Sequence, residues 1–238
     1  MSVGAGRDRP VQYKSMGIKE NIGIIREKIA KAAKRAGRDP DGVTLMAVTK
    51  KIPVDVIREA AVLGITDMGE NKVQEASEKT SCPGMGTGIK WHMIGHLQTN
   101  KVKQAVRLFD EIHSVDSIRL AREIHKRSAE AGKVMPVYIE VNVSGETSKY
   151  GVPPSGLSDL LEEAKGIDRI EVKGLMTMAP YSDDPEDSRP YFRELTKLAR
   201  EHGLSGLSMG MSGDFEVAIE EGATIIRVGT AIFEDGKA

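Results

Sequence analysis

Eight short runs of strand-forming apolar residues recur along this chain with helix-like stretches between them, and that alternation constrains the fold more than any other feature. The runs fall at residues 43–48, 66–68, 91–94, 111–115, 137–143, 172–176, 207–211 and 224–228. Strands separated by helical segments and short connections build a parallel sheet, because the chain must cross back over the sheet before each new strand. Such a sheet either closes into a barrel or stays open and doubly wound. A count of eight favours closure. The predicted fold class is therefore α/β, a single (β/α)8 barrel of TIM type over residues 13–238, with a loose tail at 1–12.

The helical stretches carry their own signals. Ile18, Ile22, Ile25, Ile29, Ala32 and Ala36 recur at spacings of three and four, one apolar stripe of an extra helix ahead of the first strand, which Gly37 ends. A second helix is expected from Val54 to Leu63, just after Pro53. Asp116 is expected to cap another, and further helices are expected at 187–202 and 212–221. Only residues 229–238 follow the last strand, so the front helix is expected to cover that side of the barrel.

In a β/α barrel the loops at the carboxyl ends of the strands build the site, and phosphate commonly sits after the seventh and eighth strands. After the seventh run come Met211, Ser212, Gly213 and Asp214, so the Ser212 hydroxyl and helix-start amides are candidate phosphate donors. After the eighth, Gly229 permits close approach and Thr230 adds a hydroxyl. Taken singly, the same residues also suit a helix cap and a turn. Lys50 ends the first strand, which in a closed barrel neighbours the eighth, so its amine is brought towards the same phosphate. An amine among apolar residues and near a cation such as Arg227 loses its proton more readily, as imine formation with a carbonyl requires. Arg227 itself interrupts an apolar strand and needs a partner. That partner is either a carboxylate such as Glu140 or the pyridine nitrogen of a cofactor. A lysine amine and a phosphate cradle together suggest an aldehyde-phosphate cofactor.

Composition narrows the classes. Lys plus Arg number 34 against 35 for Asp plus Glu, and a net charge of -1 offers no field for nucleic acid or an anionic membrane. No apolar run approaches the roughly 20 residues that cross a bilayer. A lone cysteine, Cys82, forms no internal disulfide and no cysteine-based zinc site, so a cytoplasmic setting is expected and no metal is assigned. The glycines at 84, 86 and 88 precede a strand instead of joining a strand to a helix, so dinucleotide geometry fails. His92 and His96 sit on a strand, not one helical face, and are read as packing or surface residues.

Seven segments in order then carry a resemblance: Ala47-Val-Thr-Lys50; Gly69-Glu-Asn71 with Val73-Gln-Glu75; Trp91-His-Met-Ile-Gly95 with Leu97-Gln98; Ser148-Lys149-Tyr-Gly151; Gly174-Leu-Met-Thr-Met178; Met209-Gly-Met-Ser212; and Arg227-Val-Gly-Thr-Ala-Ile-Phe233. Over residues 43–233 the chain resembles the pyridoxal phosphate homeostasis protein family, single-domain relatives of the amino-terminal barrel of alanine racemase (fold type III). The resemblance implies that Lys50, not adjacent Lys51, holds pyridoxal 5'-phosphate as an imine. It puts Ser212, Gly229 and Thr230 on the phosphate, Arg227 at the pyridine nitrogen and Asn71 on the pocket wall. Lys149 matches a recurrent family lysine. His96 stands where the family has proline and Glu234 where it has glycine, and the end of the chain lacks the basic finish of many relatives.

The expected function is a carrier that binds pyridoxal phosphate and buffers or delivers it without strong catalysis, so no catalytic residue is assigned. Expected partners are the cofactor, pyridoxal-dependent apo-enzymes and amino acids, with the chain a monomer or weak dimer. On this reading the chain is expected to be too short for the β domain that gives alanine racemase its catalytic tyrosine. The alternative is a pyridoxal-dependent amino-acid racemase, with Tyr150 or Lys149 as the second acid/base group. A phosphosugar aldolase using Lys50 leaves Arg227 without a role.

Overall fold

The computed structural model describes residues 15–85 and 88–234; the predicted tail at 1–12 lies outside them. Eight parallel strands close in chain order: β1 (Thr44–Val48), β2 (Asp67–Glu70), β3 (Lys90–Met93), β4 (Glu111–Val115), β5 (Met135–Glu140), β6 (Ile170–Met176), β7 (Gly206–Ser208) and β8 (Ile225–Val228). The expected closure is present: β8 pairs with β1, Met46 standing opposite Arg227 and Ala47 opposite Val228. The two ends of the sequence thereby become neighbours. The barrel seals tightly between β6 and β7 because Gly174 and Gly206 face each other, and a methyl group on Gly174 would run into the Gly206 backbone.

Nine helices are described around the strands: α1 (Ser15–Arg35), α2 (Val54–Val62), α3 (Val73–Thr80), α4 (Val102–Leu108), α5 (Ile118–Glu130), α6 (Leu157–Lys165), α7 (Arg189–Glu201), α8 (Phe215–Glu220) and α9 (Thr230–Phe233). The α1 stripe Ile18, Ile22, Ile25, Ile29 and Ala32 is buried, and Gly37 follows the helix with φ +65°. As expected, α1 covers the short end of the chain. Asn21 Nδ2 donates to the Ile232 and Glu234 carbonyls at 3.1 and 3.3 Å, and Arg35 pairs with Glu216 and Glu220 of α8.

Three local expectations shift. The eighth helix begins at Phe215, not Ser212, because the Asp214 carboxylate takes the Met211 amide at 2.6 Å. The seventh strand stops at Ser208, since Gly210 turns the chain at φ +89° and a Cβ there would sit 2.5 Å from that of Ala218. Ser117, not Asp116, caps α5 by accepting from the Leu120 amide, while Asp116 accepts the Ser117 hydroxyl at 3.0 Å.

Strand residues facing outward join the helices in one continuous core. A smaller cluster, Met46, Ile94, Tyr138, Met176 and Ile225, fills part of the interior. The rest of that interior is polar: His92, His113, Ser208 and Arg227 are all buried there, where branched apolar side chains are usual.

Candidate functional site

Lys50 stands two residues beyond β1 and is exposed, while Thr49 beside it is fully buried. The backbone around Lys50 is held from α3 and β2. Lys79 Nζ donates to the Thr49 carbonyl and to Glu70 Oε1, both at 2.6 Å, and to Glu75 Oε1 at 2.7 Å. The Thr49 hydroxyl also donates to Glu70 at 2.6 Å, and the Lys51 amide donates to the Glu75 carboxylate. Lys51 is the one non-glycine among the described residues with positive φ, +62°. Successive side chains beyond the strand are thus separated by a sharp turn, and Lys50 and Lys51 leave the backbone differently. Burial pushes the Glu70 carboxyl up, against the hydrogen bonds from Lys79 and Thr49.

Across the β1–β8 seam the predicted phosphate residues are brought together. Ser212 Oγ accepts from the Gly229 and Ala231 amides, each at 3.3 Å, so the loop after β7 is tied to the loop after β8. Gly229 presses on the end of β1, where a Cβ would meet Val48 at 3.4 Å. With two amides on its oxygen, Ser212 retains its own O–H to donate outward. Thr230 opens α9 and is exposed, and its hydroxyl has no partner among the described residues. Asp214 turns away from this point, engaging the Met211 amide and the Ser188 hydroxyl. The helix-start amides expected to bind phosphate are therefore partly used, and the Ser212 and Thr230 hydroxyls are the donors left facing outward.

Arg227 is 4% exposed. Among the described residues neither Glu140 nor any other carboxylate bonds it: Nη1 donates to Ser208 Oγ at 2.9 Å and Nη2 to the Thr177 carbonyl at 2.8 Å. Burial brings its pKa down to about 10, opposed by Asp214 and Glu140, so it stays a cation at neutral pH. Glu140 lies at the end of β5, 3% exposed, and its carboxylate has no hydrogen-bond or ion-pair partner among the described residues. Burial and the Asp116 charge push it up to about 7, with Arg227 opposing.

Asn71 follows β2 and packs under Gly95, where any side chain would strike the Asn71 backbone. It borders a cavity of about 510 Å³ shared with Lys72, His96, Gln98, Lys101 and Tyr150. His96 stacks on Tyr150 with ring centroids 3.9 Å apart, and its Nδ1 lies 3.5 Å from Asp116. Lys149 donates to the Met178 carbonyl at 3.3 Å and pairs with Glu146 at 3.2 Å. One group among the described residues has metal-ligand spacing, His92, Glu111 and His113, with ligand atoms within 4.8 Å of one another. Both nitrogens of each imidazole already face protein partners, so the group is a hydrogen-bond chain and not an open coordination sphere. His92, read from sequence as packing or surface, belongs to it. Lys79, Glu70, Ser208 and Thr177 are supports that spacing along the chain does not reveal.

The family model described as alanine racemase, N-terminal domain, matches residues 21–236. The pyridoxal phosphate homeostasis protein of Aquifex aeolicus (strain VF5) is 46% identical over 224 residues, 92% of this chain and 98% of that protein. PipY of Synechococcus elongatus PCC7942, solved without PLP, is 34% identical with a TM-score of 0.82 over 91% of this chain and 99% of that one. The same protein solved with PLP bound has a TM-score of 0.79 at 33% identity over the same shares.

Proposed function

The chain belongs to the pyridoxal phosphate homeostasis protein family, and from that membership we propose that it binds pyridoxal 5'-phosphate through Lys50 and buffers or delivers it without strong catalysis. One observation carries the reading: Ser212 Oγ gathers the Gly229 and Ala231 amides while Gly229 abuts Val48, so a hydroxyl donor, a close-approach glycine and the Lys50 strand converge. The cofactor supplies an aldehyde that condenses reversibly with amines. Ser212 and Thr230 donate hydroxyl protons to its phosphate, and Gly229 lets the backbone approach. Arg227, a donor only, would face the ring nitrogen and leave no room for a proton on it. Asn71 lines the pocket. A ring whose nitrogen stays unprotonated withdraws electrons weakly, which suits storage better than carbanion chemistry.

Delivery then means exchange of the Lys50 bond for water or for another amine, with pyridoxal-dependent apo-enzymes and amino acids as recipients. The candidate acid/base groups are poorly placed for more. Lys149 is engaged by Met178 and Glu146, and Tyr150 is 53% exposed and stacked on His96. A racemase reading is favoured by one observation, the partnerless Glu140 carboxyl that changes protonation near neutrality. Two measurements separate the readings. Absorbance of the purified protein with and without pyridoxal phosphate is expected to show an imine band that Lys50→Ala abolishes and Lys51→Ala preserves; a band that survives Lys50→Ala rejects the proposal. Exchange of the α-proton of alanine in deuterated water is expected to be near silent, and robust turnover would establish the racemase.

A further inference from the structure

Behind Arg227 the barrel interior holds one continuous hydrogen-bonded chain. Ser208 Oγ, which accepts from Arg227, lies 2.9 Å from His113 Nδ1. His113 Nε2 lies 3.2 Å from Glu111 Oε2 and 3.2 Å from His92 Nδ1, and His92 Nε2 lies 3.0 Å from Asp67 Oδ1. The chain crosses β8, β7, β4, β3 and β2. Tyr138 stacks on the His113 ring with centroids 4.3 Å apart and fixes its plane. Barrels of this kind are ordinarily filled with branched apolar residues, and buried charges rarely add net stability over apolar packing. The fold therefore has no need of this chain, which points to a use.

Donor rules fix its direction. Arginine only donates, so Ser208 is the acceptor of that bond, and among the described residues the one acceptor in reach of its own hydrogen is His113 Nδ1. A histidine that accepts at Nδ1 carries its proton on Nε2 and gives it to Glu111. His92 lies between two carboxylates, its Nε2 3.0 Å from Asp67 and its Nδ1 3.4 Å from Glu111. The electrostatics agree. Burial lowers His113 to about 4 despite Glu111, so it is neutral. Burial also lowers His92, but its bonds to Asp67 and Glu111 raise it overall. Burial raises Glu111, yet the two histidines hold it well below the usual carboxylate range.

We infer that Ser208, His113 and Glu111 are positioning residues for Arg227: a neutral, Nε2-protonated His113 links the guanidinium to the Glu111 carboxylate and fixes it as an oriented cation. The Thr177 carbonyl holds the other guanidinium nitrogen from beyond β6. The other charges facing these groups are Glu140 on β5 and Asp214 ahead of α8, which act on Arg227, and Lys90 on β3 and Lys173 on β6, which act on Asp67 and Glu111. The consequence for ring electronics rests on the cofactor reading above; the chain itself does not.

The test begins without cofactor. Long-range 15N NMR of the five histidines is expected to show, near pH 7, one imidazole unprotonated at Nδ1 and protonated at Nε2, assigned to His113 by its loss in His113→Gln. A His113 proton on Nδ1, a doubly protonated His113, or a stoichiometric metal retained by the purified protein would overturn the inference. In the loaded protein, Ser208→Ala is expected to move the pH midpoint of the Lys50-bound absorbance by about one unit, and Ser208→Thr, which keeps the hydroxyl, to restore it. Should Ser208→Ala not fold, Glu111→Gln serves in its place with the same expected shift. An unmoved midpoint counts against the inference. Failure of the wild type to take up pyridoxal phosphate would instead sink the cofactor reading, and the histidine tautomers would still decide this one.

Discussion

Glu140 shows at the scale of one side chain how far burial and a missing partner shape this site. Its carboxyl has an ordinary pKa of 4.5 and is pushed to about 7 in the fold. Between those values the folded state binds more protons than the unfolded chain, so stability falls as pH rises through the window. The penalty present above it is on the order of 3 kcal/mol. Glu140→Gln is therefore expected to unfold at higher urea than the parent near pH 8, the two curves converging towards about pH 4; coincident midpoints near pH 8 would contradict this. Arg227 shows what the sequence leaves open. A charge within an apolar strand demands a partner, and that much is legible. Its actual partners are a hydroxyl 19 residues away and a carbonyl 50 away, and nothing local distinguishes Ser208 from any other serine.

Among elements, α3 and α1 matter most for placing the site. Lys79 on α3 is 6% exposed and joins the Thr49 carbonyl, Glu70 and Glu75 around the Lys50 turn. Lys79→Met leaves Glu70, fully buried, without its cation and is expected to cost about 3–5 kcal/mol. Lys79→Met with Glu70→Leu is expected to recover part of that loss; urea unfolding of the single and double variants checks both. Asn21 on α1 satisfies two carbonyls at the end of the chain, so Asn21→Ala is expected to cost about 1–3 kcal/mol in the same assay. The strands were readable because a parallel strand is buried on both faces and so appears as an apolar run. Their ends were not. Gly210 stops β7 early through its positive φ, and Asp214 delays α8 by taking the Met211 amide, which frees Ser212 to face β8.

Over the whole molecule, closure is what makes the site. Lys50 and Ser212, Gly229 and Thr230 lie at opposite ends of the sequence, and the β1–β8 pairing of Thr44 with Ile225 through Ala47 with Val228 makes them neighbours. That juxtaposition follows from counting eight strands. The chain through His92, His113 and Ser208 does not, because it depends on the register of β3, β4 and β7, which no spacing in the sequence reports. The proposed covalent anchor is tested most directly by reducing the loaded protein with borohydride and mapping the modified peptide by mass spectrometry. The account predicts one pyridoxal phosphate adduct per chain, on Lys50. An adduct on Lys51 or Lys149, or one spread over surface lysines, would contradict it.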